Sequence, residues 1–155
     1  MAGPSATIHA SAVLAGAAAV LIRGEPGAGK SRLALDLIQA AASGAIPFAR
    51  FVGDDRVHVE PASGRLLVRP APALAGLIEI RGLGIRRLPF EPVAAVGLVV
   101  DLEAGAERLP PLSALATVIE GIRLPRLAIP PETQTLPVVL AALGRPRTEP
   151  GLGGI

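Results

Sequence analysis

Cysteine, tryptophan and tyrosine do not occur in this 155-residue chain, and phenylalanine occurs three times. Without thiols there are no disulfides, no thiolate metal ligands and no cysteine nucleophile, a composition that suits a reducing, cytoplasmic setting. With so few aromatics, the core has to be assembled from Ala, Val, Leu and Ile. Stacking platforms for nucleic acid are missing too, and the arginines are scattered along the chain, so no nucleic-acid partner is expected. Charge is sparse: Asp, Glu, Lys and Arg make up 18% of residues and the formal net charge is +2. Long apolar runs are also absent. The longest, Ala12 to Ile22 with Gly16 inside it, has 11 residues, against about 20 for a bilayer span. No basic segment precedes it, so neither a signal peptide nor a membrane partner is expected. Half of the residues are hydrophobic, which excludes global disorder and is enough to build the core of a single domain.

Lysine is nearly absent: beside fourteen arginines there is one, Lys30. It stands in Gly24-Glu25-Pro26-Gly27-Ala28-Gly29-Lys30-Ser31, a full G-x-x-x-x-G-K-[ST] phosphate-binding loop. Ala18-Ala19-Val20-Leu21-Ile22 ahead of it reads as a short buried strand, and Arg32 to Ala42 repeats apolar positions at helical spacing. The loop therefore has the strand-to-helix context the motif requires. Its glycines let the backbone close around phosphate oxygens, while the helix start adds unpaired N–H groups and a positive dipole end. Lys30, a compact ammonium on a flexible stem, is placed to reach the terminal phosphates of a nucleoside triphosphate, and the Ser31 hydroxyl to ligate Mg²⁺. The fold class that follows is α/β, with a central mixed sheet around the P-loop helix.

In chain order, residues 1–5 are expected to be a disordered start. Ala6 to Leu14 alternates like a strand and carries His9 between Ile8 and Ala10; a lone histidine among apolar neighbours reads first as structural. The P-loop helix runs from Ser31 to Ala42 and ends at Ser43-Gly44. Arg50-Phe51-Val52 is a strand running out into Gly53-Asp54-Asp55. An apolar strand ending in aspartate is the usual partner of a P-loop, since it brings a carboxylate to the magnesium or the nucleophile. Neighbouring strand residues point opposite ways, so one of Asp54 and Asp55 faces the phosphates. Val57 to Glu60 and Arg65 to Arg69 form a hairpin around Pro61 to Gly64, with His58 exposed. Gly76 to Ile85 is extended and glycine-broken, with Glu79 and Arg81 on one face and Ile78 and Ile80 on the other. Val93 to Val100 is a buried strand ending in Asp101-Leu102-Glu103, and Ala104 to Pro111 is a loop carrying Glu107 and Arg108. Pro125 puts the strand Ile122 to Ile129 at a sheet edge. A last helix, Glu132 to Leu143, opens behind Pro130-Pro131 with Glu132 near its positive end. The domain is expected over 1–143, with a loose tail over 144–155.

Three of these segments together, the P-loop, Asp54-Asp55-Arg56-Val57 and Leu77-Ile78-Glu79-Ile80-Arg81-Gly82-Leu83-Gly84-Ile85, resemble the C-terminal catalytic domain of bacterial HPr kinase/phosphorylase. The last is the specific one, because P-loops are common and this segment looks like the family's own signature. The resemblance covers roughly Thr7 to Leu143 and includes His9, at the family's spacing from the lysine.

The resemblance implies an ATP- and Mg²⁺-dependent protein serine kinase acting on HPr or a related phosphocarrier, within carbon or nitrogen regulation. By the same match, Asp55 is the general base towards a seryl hydroxyl, with Asp54 held in reserve, and His9 is catalytic. Glu79 joins Ser31 as a metal ligand, and Arg108 acts, by a looser match, on the transferring phosphate. Family members look like homohexamers, so a homo-oligomer is expected. The motifs begin within ten residues of Met1, which looks like the short form with the kinase domain alone. The family's Pro-x-Arg-Pro-Gly-Arg-Asn stretch, associated with phosphorolysis of the seryl phosphate, is replaced by Ile129-Pro130-Pro131-Glu132-Thr133-Gln134-Thr135. That stretch has no arginine, so the resemblance stops short of the reverse reaction and of the hexamer contacts made there. From the residues alone, a small-molecule kinase, an ATPase or a non-catalytic nucleotide sensor remain open.

Overall fold

A computed structural model describes residues 6–144 of the chain. The expected start over residues 1–5 and the tail beyond Gly144 lie outside the described residues. Among the described residues, eleven strands and two α-helices follow in chain order: β1 (Ala6–Ile8), β2 (Ala10–Ala15), β3 (Ala18–Gly24), α1 (Lys30–Ala42), β4 (Ala49–Gly53), β5 (Val57–Ala62), β6 (Arg65–Pro70), β7 (Leu77–Ile80), β8 (Gly84–Arg87), β9 (Ala94–Leu102), β10 (Ala116–Ile119), β11 (Ile122–Ile129) and α2 (Thr135–Leu143). The fold is the expected α/β arrangement around a central mixed sheet.

The large sheet runs in the order β1-β5-β6-β9-β3-β2-β4, with β11 also paired to β9 and β10 to β11. The P-loop strand β3 lies parallel to β9 and antiparallel to β2, and β2 in turn is antiparallel to β4. Strands β3, β4 and β9 therefore all deliver their C-terminal ends to one edge, where open α/β sheets place their ligands. β9 is the spine. Its first residues pair with β6, its last four with β11, and its opposite edge with β3.

Period-two alternation splits the core across the sheet. Val13, Val20, Ile22, Val100 and Leu102 face α1, packing on Leu33, Ala34 and Leu37 together with Ile129 and Val139 of α2. Ala12, Leu21 and Val99 face the other way, onto Val57, Val59, Leu66 and Val68 of the β5–β6 hairpin. α1 starts on Gly29 at φ 102, a conformation costly for any residue with a Cβ. It ends in a Schellman closure, with the Gly44 N–H on the Ala41 carbonyl and the Ala45 N–H on the Ala40 carbonyl.

Four local expectations are corrected. The first strand is broken by a bend at His9, so that β1 pairs with β5 while β2 enters between β3 and β4. Arg81 lies in the three-residue turn between β7 and β8, because Gly82 and Gly84 take φ 90 and 89 and reverse the chain; Glu79 and Arg81 do not share a strand face. β11 is not an edge strand throughout: Pro125 sits opposite Ala116 of β10, and parallel pairing with β9 begins at the next residue. α2 begins at Thr135, since residues 131–133 form a turn closed by Thr133 on the Pro130 carbonyl; Glu132 is outside the helix and Pro137 lies in its first turn.

Candidate active site

The P-loop leaves β3 at Gly24 and enters α1 at Lys30. The Lys30 ammonium is buried and donates to the Gly24 carbonyl at 2.8 Å and the Glu25 carbonyl at 3.1 Å. Its side chain thus arches back over the loop, with the tip held by two of the loop's own carbonyls. Gly24 to Ala28 line one wall of a cleft of about 620 Å³; Asp101 to Ala104 and Pro131 line the other.

Beside the loop, Asp54 follows β4 and is 5% exposed. Ser31, in the first turn of α1, donates its hydroxyl proton to Asp54 Oδ1 at 2.6 Å. The Ser11 hydroxyl on β2 donates to the same oxygen at 2.7 Å, and the Glu79 backbone N–H donates to Oδ2 at 3.3 Å. Gly53 makes this turn possible: a Cβ there would stand 2.7 Å from Val57 Cγ1 and 3.3 Å from the Pro70 backbone. Asp55 takes φ 65. That left-handed step turns Asp55 out to solvent while Asp54 stays in. Among the described residues no cation forms an ion pair with either aspartate.

Across the cleft, Asp101 of β9 is 6% exposed and takes a different set of partners. Arg23, the residue before Gly24, forks onto it with Nε at 2.7 Å and Nη2 at 2.8 Å. Arg126 of β11 donates its Nε to the second carboxylate oxygen, one Nη to Glu103 at 2.6 Å and the other to the Ala114 carbonyl at 3.0 Å. Burial pushes the Asp101 carboxyl up, but the hydrogen bonds and charges of Arg23 and Arg126 outweigh it and hold the group below its ordinary value. The hydrogen bond to Asp101 likewise holds Arg126 more firmly protonated than usual, with burial opposing it and Glu103 adding to it.

The remaining candidates are on the rim. His9 is exposed at the bend between β1 and β2, one residue before Ala10, whose partner is Arg23; it therefore sits at the P-loop end of the sheet. Glu79 has its backbone on Asp54 and its side chain exposed. Arg108 is exposed in the loop over 103–111 and makes no ion pair or hydrogen bond among the described residues. Gly24, Glu25, Pro26, Gly27, Ala28, Gly29, Lys30 and Ser31, with Asp54 and the Glu79 backbone, form one cluster; among the described residues, no hydrogen bond or ion pair joins the side chains of His9, Asp55 or Arg108 to it.

The family model for the HPr Serine kinase C-terminal domain matches residues 2–89. This chain belongs to that family. The HPr kinase/phosphorylase of Mycoplasma mycoides subsp. mycoides is 42% identical over 82 residues, 53% of this chain and 24% of that protein. The HPr kinase/phosphorylase of Limosilactobacillus reuteri is 32% identical over 143 residues, 84% of this chain and 42% of that protein. The chain thus spans less than half the length of these curated relatives. Among solved structures it is similar to the Hpr(Ser) kinase/phosphatase from Coxiella burnetii, with a TM-score of 0.71 and 28% identity over 89% of this chain and 93% of that one.

The matched HPr kinase segment contains the P-loop, both aspartates and the β7–β8 hairpin, and it stops before β9. Arg108 and the Arg23–Asp101–Arg126 lock thus draw on residues outside it. Sequence reading missed two features of this domain. Ser11 gave no signal beyond being a serine among alanines and a valine in a buried strand. The lock joins residues 78 and 25 positions apart, and only the strand register reveals it. Its one visible sign was a charged residue at the end of each of two apolar strands, Arg23 and Asp101.

Proposed function

We propose that this domain is an ATP- and Mg²⁺-dependent protein serine kinase of the cytoplasm that phosphorylates HPr or a related phosphocarrier in carbon or nitrogen regulation. The observation that carries the reading is the 2.6 Å hydrogen bond from Ser31 to a buried Asp54 that has no cation partner among the described residues. A P-loop hydroxyl and a strand-end carboxylate in contact are the hard oxygen donors that Mg²⁺ takes when bound beside phosphates. Ser31 and Asp54 would hold it, with the Glu79 carboxylate as the family resemblance suggests. When bound, the ion would supply charge neutralisation beside the phosphates.

This chain's own residues do the rest. The P-loop backbone N–H groups and the start of α1 cradle the phosphates, and Lys30 reaches them from its seat on the loop. Asp55, turned outward at φ 65, is open to a protein substrate and accepts the proton of its seryl hydroxyl. The seryl oxygen forms the new bond to the γ-phosphorus, the bond to the β–γ bridging oxygen breaks, and ADP leaves. Arg108 and His9 stand on the rim, where the transferring phosphate and the acceptor protein meet the site. Phosphorolysis is not part of the proposal, because residues 129–135 offer no arginine to hold a seryl phosphate. The acting unit is a homo-oligomer, as the resemblance implies, and light scattering in solution measures it.

The test mixes the protein with Mg-ATP and HPr from the same organism and follows seryl phosphate by mass spectrometry. Transfer that depends on Lys30 and Asp55 supports the reading. No transfer under conditions where nucleotide binds overturns it, and turnover without any carrier protein points to a small-molecule kinase or ATPase instead.

A further inference from the structure

Ser11 is a costly residue for its place. It lies in β2 among Ala10, Ala12 and Val13, all fully buried, and is itself 0% exposed. A hydroxyl taken out of water needs a partner, and alanine would fill the same strand position without that demand. Strand alternation turns Ser11 to the side of Val13, the face that packs on α1, while Ala10 and Ala12 face the opposite cluster. That side is where Ser31 starts the helix.

We infer that Ser11 is a positioning residue that sets the geometry of both aspartates for the metal-bound nucleotide. Its proton goes to Asp54 Oδ1 at 2.7 Å, the same oxygen that receives the Ser31 proton at 2.6 Å. Its lone pair faces the Asp55 N–H at 3.5 Å, at the long end of hydrogen bonding. One side chain thus spans from the strand beside the P-loop to the turn after β4. It fixes the rotation of the Asp54 carboxylate and steadies the left-handed step that turns Asp55 outward. Because its donor is neutral, it orients Asp54 without cancelling the negative charge that a divalent cation needs. Without it, Oδ1 is held only by Ser31, a group that has its own part in metal binding.

The inference rests on the P-loop reading of the nucleotide site and not on the identity of the acceptor protein, so the test uses binding. A fluorescent ATP analogue is titrated into the full chain with and without Mg²⁺, for wild type and for Ser11→Ala, Ser11→Cys and Ser11→Thr, with thermal unfolding followed in parallel. Ser11→Ala should raise the Mg²⁺ concentration for half-maximal tight binding about tenfold, the order expected for losing a hydrogen bond to a charged group, and leave binding in EDTA within about twofold. Ser11→Thr keeps the hydroxyl and should stay near wild type. Ser11→Cys, close in size but a weak donor, should follow the alanine variant and carries the test should that variant unfold. An unchanged Mg²⁺ requirement in the alanine and cysteine variants overturns the inference. So does an equal loss with and without the metal that merely tracks the melting temperature. Wild type that binds no nucleotide overturns the P-loop reading along with it, whereas intact Mg²⁺-dependent binding without transfer to HPr overturns only the acceptor.

Discussion

Two aspartates of nearly equal burial, 5% for Asp54 and 6% for Asp101, sit at the same edge of one sheet and are held in opposite ways. Asp101 is clamped by two guanidiniums. Asp54 receives two hydroxyl protons and a backbone N–H. Guanidiniums orient a carboxylate and cancel its charge; hydroxyls and amides orient it and leave the charge in place. A carboxylate already paired with arginine is spent on structure, and it ties β3, β9 and β11 together at the root of the P-loop. One oriented by neutral donors alone stays available to an incoming cation. The partners, more than burial or residue type, separate an aspartate whose charge is paired from one whose charge is left unpaired.

The largest effect expected from this contrast is Asp54→Asn. If its charge is what serves the nucleotide, phosphoryl transfer should fall by about 10²–10³-fold, while analogue binding in EDTA survives; a rate assay beside a binding titration checks this. Asp101→Asn should do the reverse, costing stability first. It leaves two guanidiniums facing a neutral amide, and the loss should be about 2–3 kcal/mol in urea unfolding, less than for a fully buried pair because Arg23 is about a third exposed. Asp101 should also shape the acid limb. Its folded value lies below its unfolded one, so the unfolded chain binds the proton more tightly. The clamp therefore contributes fully above about pH 4 and is lost as the pH falls through the folded value. Wild type and Asp101→Asn should converge in stability below that point, which unfolding at stepped pH measures. Within the clamp, Arg126→Gln should cost more, about 1–2 kcal/mol, than Arg23→Gln at under about 1, since Arg126 is 15% exposed and serves three partners. Equal losses would mean that Ala114 and Glu103 add nothing. Last comes Glu103→Gln, half exposed and expected to stay within about 0.5 kcal/mol.

The sequence made one half of this contrast readable. Lys30 and Ser31 fall in a local pattern, and strand-loop-helix is a continuous stretch of chain, so β3, the P-loop and α1 could be drawn from it. The pair Asp54-Asp55 was equally plain, but its orientation was not, because that depends on a positive φ at a non-glycine residue. Arg81 was misplaced for a different reason, since positive φ at two glycines moves it from a strand into a turn. The first turn of α2 was misjudged because Pro130-Pro131 suits a helix start as well as it suits the tight turn that Thr133 closes. Ser11 and the Asp101 clamp are products of register between distant strands, and no local pattern encodes which residues three strands will bring abreast. β10 carried little signal of its own and forms as the partner of β11.

The pairing of β9 on both edges also orders the molecule in time. Amides in Val99 to Leu102 lie between β3 and β11, so hydrogen exchange there needs the centre of the sheet to open. β4 has β2 on one side and, on the other, a single bridge from Phe51 to Phe90. The strand that carries Asp101 should therefore keep its deuterium pattern longest, and the strand that delivers Asp54 should yield earlier. Local opening would then loosen the turn that carries Asp54 while the clamp beside the P-loop holds the fold together.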